Sequence, residues 1–364
     1  MSPLADISIQ QLTDALLDID KPFPPRLLYR LSDLEATDLE KLDTIWSQLP
    51  LWRRQGLMED IEELGSKDTL LDYVAFSRFA LKDNDPKVRR LAVATLWDYE
   101  QTDLIPTFLD LFTTDTDADV RAAAGSGLAR FVYAGEIEEI PQAKLKMIED
   151  TLLAALKNQE TPLQVQRAAL ESLGYSSRDE VPALIKTAFA SKDKNWIASA
   201  LFAMGRSASA EWQPEVLSML QSKMPALRME AARAAGELEL VDAIPLLLDL
   251  LDDPDENTRQ ASIWSLSQIG GEDVQEALER LYQAAEDEDE LEMLESALDN
   301  LTATQGVKLR PLFEMPDEEH AGDEFEDTDE DYIEDIDEAI GWYEDIGELD
   351  DLEDLYSDEE DLTD

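Results

Sequence analysis

Residues 252–271 of the chain have the sequence DDPDENTRQASIWSLSQIGG, in which an acidic segment precedes a helix-like one. Asp and Asn residues before such a segment are typical N-caps, because their side chains accept hydrogen bonds from free backbone N–H groups. The two final glycines are typical of a helix end. Thr258, Ser262 and Leu266 follow one another at four-residue spacing, which predicts an α-helix with one buried side.

The same pattern occurs in five earlier segments of the chain. Each copy has Ala or Ser four residues after its first position, and Leu, Met or Ala eight residues after it. The first positions are Val88, Val120, Val165, Trp196, Leu227 and Thr258, which lie 32, 45, 31, 31 and 31 residues apart. A pattern repeated on this scale predicts a solenoid of stacked helical units.

A second landmark predicts a second helix in most units. Seventeen or eighteen residues after the first position comes a proline that precedes an apolar run, at Pro106, Pro182, Pro214 and Pro245. Proline suits the first turn of a helix, where its missing N–H would be unpaired anyway. We therefore predict units of two helices, with Ala and Gly on the first helix so that neighbouring helices approach closely.

The pattern D-P-x-x-x-x-R-x-x-A/S-x-x-x-L resembles the HEAT repeat, of the short variety found in the phycobilisome-lyase-like group. The spacing of 31 residues fits that variety, since general HEAT repeats span roughly 40–47 residues. Full matches cover residues 83 to about 282. The resemblance implies an all-α fold, a right-handed α-solenoid of HEAT-like helical hairpins.

Three regions are predicted along the chain. Residues 1–82 form an N-terminal helical segment with a degenerate capping repeat, in which Trp52-Arg53 replaces the usual Val-Arg. Residues 83–305 form the solenoid, and the long interval after Val120 lengthens a loop or a helix. Residues 306–364 form an acidic, largely disordered tail.

Composition excludes several function classes. The chain has no cysteine and one histidine, His320, so thiolate metal sites, cysteine nucleophiles and Ser-His triads are not expected. The net charge of −54 disfavours direct binding to nucleic acids or anionic membranes. No apolar run is long enough for a membrane helix, and no signal peptide is evident. We expect a cytoplasmic protein that is not an enzyme and that uses no cofactor.

The acidic segment, residues 316–364, contains 26 Asp or Glu residues and no Lys or Arg. Apolar side chains at helical spacing interrupt it, including Ile336, Ile340, Trp342 and Tyr343. We expect disorder overall with one or two transient helices. Spaced aromatic anchors among charges favour a binding role over a role in solubility alone.

Three features allow a functional and a structural interpretation. The arginines next to the first positions could line a binding surface, but a ladder of pairs with loop aspartates is favoured (Arg89, Arg121, Arg167, Arg228 and Arg259). The aspartates before each first helix could bind calcium, but N-capping explains them. The tryptophans could line a ligand groove, but core packing is favoured (Trp97, Trp196, Trp212 and Trp264).

We therefore expect a non-catalytic scaffold or adaptor whose curved surface, built largely from the second helices, binds a protein partner. The charge favours a basic partner. Lysines between the second and fourth units are candidate contacts, either for a partner or for the tail folding back in an autoinhibitory contact (Lys144, Lys146, Lys186, Lys192 and Lys194). The alternatives are a bilin lyase or isomerase-like accessory protein, and an acidic chaperone or nucleic-acid mimic for a basic partner.

Overall fold

The computed structural model describes residues 7–32, 34–67, 70–97 and 99–313. These residues form an all-α fold with eighteen α-helices and a few short 3₁₀ turns. The α-helices are α1 (Ile9–Leu17), α2 (Ala36–Trp46), α3 (Leu51–Lys67), α4 (Val74–Ala80), α5 (Pro86–Ala94), α6 (Ile105–Thr114), α7 (Ala118–Gly127), α8 (Ala129–Glu136), α9 (Gln142–Lys157), α10 (Leu163–Ser172), α11 (Val181–Phe189), α12 (Lys194–Arg206), α13 (Gln213–Met219), α14 (Pro225–Glu237), α15 (Ile244–Leu250), α16 (Glu256–Ile269), α17 (Glu272–Ala284) and α18 (Glu288–Phe313).

From α5 onwards the helices alternate between two layers. The first helices of the units are α5, α7, α10, α12, α14 and α16, and the second helices are α6, α9, α11, α13, α15 and α17. Each first helix packs extensively against the first helix of the next unit, whereas second helices of neighbouring units contact each other little. The more closely spaced of two stacked layers lies on the inner side of a curve. We therefore call the layer of first helices the inner layer, and the expectation that the second helices build the curved binding surface stays a prediction.

Close packing within the inner layer depends on glycine at one repeated position. Gly174, Gly205 and Gly236 each lie against the backbone of the residue 29 positions later, on the next first helix. A Cβ built on any of these glycines would lie 2.8–3.1 Å from the Cα of that residue. The prediction that small residues allow neighbouring helices to approach closely is confirmed.

Both helix-start signals lie where they were predicted. Proline occupies the first turn of four second helices, namely Pro106 in α6, Pro182 in α11, Pro214 in α13 and Pro245 in α15. An Asp side chain caps four first helices, namely Asp85 for α5, Asp117 for α7, Asp193 for α12 and Asp255 for α16. Capping thus accounts for these aspartates without a calcium ion.

The 45-residue interval between Val120 and Val165 lengthens the helices of one unit. Its first helix is extended, since only Leu128 separates α7 from α8. Its second helix, α9, has 16 residues and is longer than the other second helices. The solenoid therefore absorbs the extra residues as helix, while α7 and α10 still pack extensively against each other.

The arginine ladder is present at two of the five predicted positions. Arg89 donates two hydrogen bonds of 2.8 Å to the carboxylate of Asp115 at the start of the next unit. Arg228 donates two hydrogen bonds of 2.7 Å to Asp253 in the same relation. These bidentate pairs tie successive inner helices together through side chains that are nearly buried.

The other three arginines take different partners. Arg121 and Arg259 donate to backbone carbonyls of the preceding turn. Arg167 donates to the hydroxyl of Ser199, at 3.0 Å. In these units the arginine is still used structurally, but it does not pair with an aspartate.

The degenerate N-terminal repeat has a different register from the predicted one. Arg54, not Arg53, occupies the ladder position and pairs with Asp83 of the next unit. Arg53 lies one position earlier, where the other units have their buried first residue. It is 4% exposed and donates to backbone carbonyls in the loop after α1. The correct correspondence is therefore Arg53-Arg54 with Val-Arg, rather than Trp52-Arg53.

Candidate functional site

The inner layer carries two rows of side chains that differ from unit to unit. Positions six and ten residues after each first position lie about one helical turn apart on one side of the unit, and several side chains there are less than 10% exposed. We call these ten residues the inner face. They are Ser126, Glu171, Phe202, Arg233 and Trp264 in one row and Arg130, Tyr175, Arg206, Glu237 and Gln268 in the other. The packing positions repeat with small or apolar residues, whereas this face combines acids, bases and aromatic rings.

Arg206 lies at the centre of the inner face and is held by aromatic rings. Its guanidinium carbon lies 3.8 Å from the centroid of the Phe202 ring and 4.8 Å from that of Tyr175. Arg233 from the next helix lies 5.7 Å from the same Phe202 ring. Cation–π contacts of this kind fix the direction of a guanidinium without using its N–H groups.

Glu171 is held by hydrogen bonds from the next inner helix. The hydroxyl of Ser199 donates to its carboxylate at 2.5 Å, and Arg167 in turn donates to the Ser199 oxygen. Glu171 is 8% exposed. One carboxylate oxygen is therefore fixed between α10 and α12, close to the cations of the inner face.

Two glutamates on α14 are desolvated in the same region. Burial raises the pKa of Glu230 to about 7, and nearby Arg233 opposes this rise while Glu171 and Glu237 add to it. Burial also raises the pKa of Glu237, against the opposing influence of Arg206 and Arg233. Burial thus favours the neutral form of Glu230, and the charge of the cluster responds to pH closer to neutrality than that of an exposed carboxylate.

A pocket opens in the inner face between the long unit and the one that follows it. Its lining includes Trp97, Arg130, Glu171, Phe202 and Arg206. Arg130 donates to Glu100 at 2.8 Å. The Nε1 of Trp97 and the Nε of Arg206 are buried and have no hydrogen-bond partner within the described part of the chain. The pocket thus presents unused N–H donors beside aromatic surface.

The candidate lysines lie away from this face. Lys144 and Lys146 lie on α9, Lys186 lies on α11, and Lys192 and Lys194 lie at the start of α12. Lys146 pairs with Asp150 and Lys186 with Glu211, so part of their charge is neutralised locally. The lysines remain a predicted contact surface, which is spread over the second helices α9 and α11, the turn before α12 and the first residue of α12.

The candidate residues of the acidic segment, Ile336, Ile340, Trp342 and Tyr343, lie outside the described residues, as does His320. Within residues 7–313, apart from the positions left undescribed, no group of three or more His, Cys, Asp or Glu residues could hold a metal ion. Over the same part of the chain, no helix is both long and apolar enough to cross a lipid bilayer.

Sequence reasoning missed the inner face because it followed the positions that repeat. The signal was nevertheless present, since Glu171, Phe202, Arg233 and Trp264 follow one another at intervals of 31 residues. Positions that pack between units tend to repeat, because each unit has to fit the next. Side chains that differ in chemistry at the same repeat position therefore indicate a binding role. The predicted core packing of the tryptophans is confirmed for Trp212, which is 1% exposed, and in part for Trp97 and Trp196, which pack against the core half-buried; Trp97 also lines the pocket, and Trp264 lies in the first row of the inner face.

A family model described as HEAT repeats matches residues 75–144, 181–255 and 240–299. A search of curated proteins gives no match. Similar solved structures include that of YibA from Escherichia coli, at 17% identity over 76% of this chain and 95% of that one, with a TM-score of 0.38. An engineered protein has 20% identity over 55% and 97% of the two chains, with a TM-score of 0.34. Human deoxyhypusine hydroxylase in complex with glycerol has 17% identity over 73% and 97%, with a TM-score of 0.34.

Proposed function

The chain belongs to the HEAT-repeat family, and from this premise we propose that it is a non-catalytic scaffold that binds a protein partner on its inner face. HEAT-repeat solenoids commonly serve as protein-binding scaffolds, because stacked units present a long continuous surface. The short spacing of 31 residues supports placing these repeats in the phycobilisome-lyase-like variety. That placement concerns the fold and brings no bilin chemistry with it.

The observation that carries the proposal is the contrast between two sets of positions on the first helices, those that pack against the neighbouring unit and those of the inner face. Glycine and alanine recur where neighbouring units pack together, whereas the first row of the inner face holds Glu171, Phe202, Arg233 and Trp264 in succession, the first three of them nearly buried. A solenoid needs no such variety for its own stability. A partner recognised through several different contacts does need it, and aromatic and arginine side chains are the types that contribute most to protein interfaces.

The partner that fits the charge is a basic protein. The net charge of −54 attracts basic surfaces over long range and speeds their encounter at low salt. The acidic segment carries −26 of this charge, so it supplies a second binding element beside the inner face. Its spaced Ile336, Ile340, Trp342 and Tyr343 provide apolar contacts within it.

Catalysis is not part of the proposal. The group with the most enzyme-like pKa is Glu230, yet it is 3% exposed, so a substrate has no access to its carboxyl. Glu171 is engaged by Ser199. We place the protein in the cytoplasm, and a chain without cysteine needs no oxidising compartment to form disulfides.

Paired charge-swap variants test this proposal. Arg206→Glu with Gln268→Lys changes the inner face, and Arg280→Glu with Gln275→Lys makes the same changes on the second helix α17. Tagged full-length chains are used to capture proteins from cell extract, with quantification by mass spectrometry. We expect proteins that the native chain and the α17 variant retain and the inner-face variant loses. Equal capture by both variants would remove the inner face from the proposal.

A further inference from the structure

Four large apolar side chains are exposed together at the N-terminal end of the solenoid. We call them the terminal patch, and they are Leu17, Ile19, Leu51 and Trp52, with exposed fractions between 41% and 56%. The outer face of a terminal unit is normally polar, because no further unit covers it. The last helix, α18, follows this rule with exposed Glu292, Glu295 and Asp299. The terminal patch departs from it.

Buried Arg53 holds the terminal patch in a fixed arrangement. Its guanidinium donates to the carbonyl oxygens of Asp18 and Lys21, at 3.1 and 2.7 Å, and so attaches the loop that carries Ile19 to the start of α3. The same guanidinium carbon lies 4.7 Å from the centroid of the Trp52 ring. A surface that is already fixed loses little conformational freedom on binding, which favours affinity.

One face of α3 leads from the terminal patch to acidic side chains. Gly56, Glu59 and Glu63 follow Trp52 at distances of four, seven and eleven residues, which places all four on one side of the helix. A Cβ built on Gly56 would meet no atom within 4 Å, so the middle of this face is open. Both glutamates are exposed. The face therefore has an apolar end, an open middle and an acidic end.

The acidic end contains more acids than bases. Lys87 pairs with Glu59 through side chains that are both about half exposed. Asp60 lies beside them, and its pKa is raised by burial and by the negative charges of Glu59 and Glu63. The influence of the two glutamates is repulsive, so a cation brought by a partner would be attracted to this end of the face.

We propose that the terminal patch and the acids that follow it on α3 bind a segment of a protein partner that combines aromatic or aliphatic side chains with Lys or Arg. The apolar side chains of the segment cover Trp52 and Ile19, and its bases lie opposite Glu59 and Glu63. These glutamates stand six and ten residues after Arg53, so they continue the register of the inner face onto the first unit. They are not among its ten residues, and the surface is therefore a further contact site, beyond the one assigned above.

Area and charge favour a short segment over a second copy of the chain. The side chains of the terminal patch are about half exposed and together present roughly 400 Å², whereas a stable protein interface takes about 800 Å² from each partner. Two copies would each bring a net charge of −54, which opposes their association. Trp52 and Glu63 lie about 16 Å apart along α3, a distance that about five residues of extended chain span.

Selection from a random peptide library displayed on phage tests the proposal. The full-length native chain is the bait, and Trp52→Ala is used for counter-selection. We expect selected peptides that pair an aromatic or aliphatic residue with Lys or Arg. By fluorescence anisotropy they should bind the native chain about tenfold or more tightly than Trp52→Ala, as for an aromatic hot spot. The matched control is Tyr282→Ala, which removes an exposed aromatic ring beside acids on α17 and should leave the affinity unchanged.

Gly56→Gln provides a second variant that keeps the charge and removes no contact with a neighbouring side chain. It fills the open middle of the face, so it should weaken the same peptides about fivefold or more, even where Trp52→Ala disturbs the stacking on Arg53. Its circular dichroism should match that of the native chain.

Peptides that bind the native chain and both variants equally would overturn the proposal, as would discriminating peptides without Lys or Arg. A dimer of the native chain that Trp52→Ala abolishes in analytical ultracentrifugation would assign the terminal patch to a second copy and would overturn it as well. None of these variants changes the inner face. Each of these results would therefore leave the capture experiment with the charge-swap variants, and hence the scaffold proposal, untouched.

Discussion

Gly174, in the 3₁₀ turn that follows α10, lies directly against Ala203 on α12, so that a Cβ on Gly174 would lie 2.9 Å from both the Cα and the carbonyl oxygen of Ala203. Such a distance to backbone atoms cannot be relieved by moving one flexible side chain. The contact recurs at the two following seams of the inner layer. It is the packing feature that sets the distance between units and hence the position of the inner face.

Gly174→Ala should therefore destabilise the solenoid by about 1–3 kcal/mol through overpacking. Gly56→Ala is the matched control, since Gly56 lies within α3 and a Cβ there meets no atom within 4 Å. That change should stabilise the protein by about 0.5–1 kcal/mol, the usual gain from replacing a mid-helix glycine. Urea unfolding followed by circular dichroism measures both, and effects of the same sign would contradict the packing account.

Glu230→Gln should stabilise the protein at pH 8 but not at pH 4. The pKa of Glu230 is about 7 in the folded protein and 4.5 in the reference state, so the folded protein binds the proton more tightly. Its stability therefore falls as the pH rises from about 4.5 to 7 and then levels off. The gain from Gln is at most about 3 kcal/mol above pH 7.

Thermal unfolding of Glu230→Gln and the native chain across this pH range measures the difference. The control is Glu276→Gln, which removes one exposed carboxylate on α17. It measures the general effect on stability of lowering the negative charge of the protein by one. A stabilisation by Glu230→Gln that is the same at pH 5 and pH 8 would show that desolvation of the carboxylate is not its cause.

The pair of Arg228 and Asp253 should show strong coupling in a double-mutant cycle. Burial raises the pKa of Asp253, but the hydrogen bonds from Arg228 and from the backbone N–H of Asp255, with the charges of Arg228 and Arg259, together outweigh burial and hold this pKa below its usual value. The two side chains are only 12% and 6% exposed. We expect a coupling energy of about 1.5–3 kcal/mol between Arg228→Ala and Asp253→Ala.

The exposed pair of Lys146 and Asp150 provides the comparison for this cycle. Its side chains are 67% and 50% exposed, and it spans one helical turn. Its coupling should be no more than about 0.5 kcal/mol. Equal coupling energies in the two pairs would mean that the pair of Arg228 and Asp253 contributes no more to stability than an ordinary surface ion pair.

Sequence alone predicted the solenoid because its determinants repeat. The prolines of the second helices and the Asp caps act locally, through backbone geometry and hydrogen bonds within a few residues, so a local pattern is enough to find them. The pairing of Arg89 with Asp115 was also within reach, since an Asp and an Arg stand at the corresponding positions in several units. The register of the degenerate first repeat was missed because buried Arg53 occupies a position that is apolar elsewhere.

The side of the solenoid that forms the inner layer could not be predicted in the same way. It depends on which layer of helices packs more closely, a property of many seams together. Gly174 and its equivalents allow the first helices to pack closely. The second helices, including α11 with Lys186, lie in the other layer of the solenoid. The cluster around Arg206 likewise draws on three helices and has no motif within any one of them.

Hydroxyl-radical footprinting of a complex with a captured partner tests the central claim, that the inner face is the binding surface. The oxidation rates of Trp97 and Trp264 report on the inner face, and those of Met147 and Tyr282 report on second helices that are 45% and 38% exposed at these residues. The account predicts that the partner slows oxidation of the two tryptophans and leaves Met147 and Tyr282 unchanged. Slower oxidation of Met147 and Tyr282 with unaltered tryptophans would contradict it.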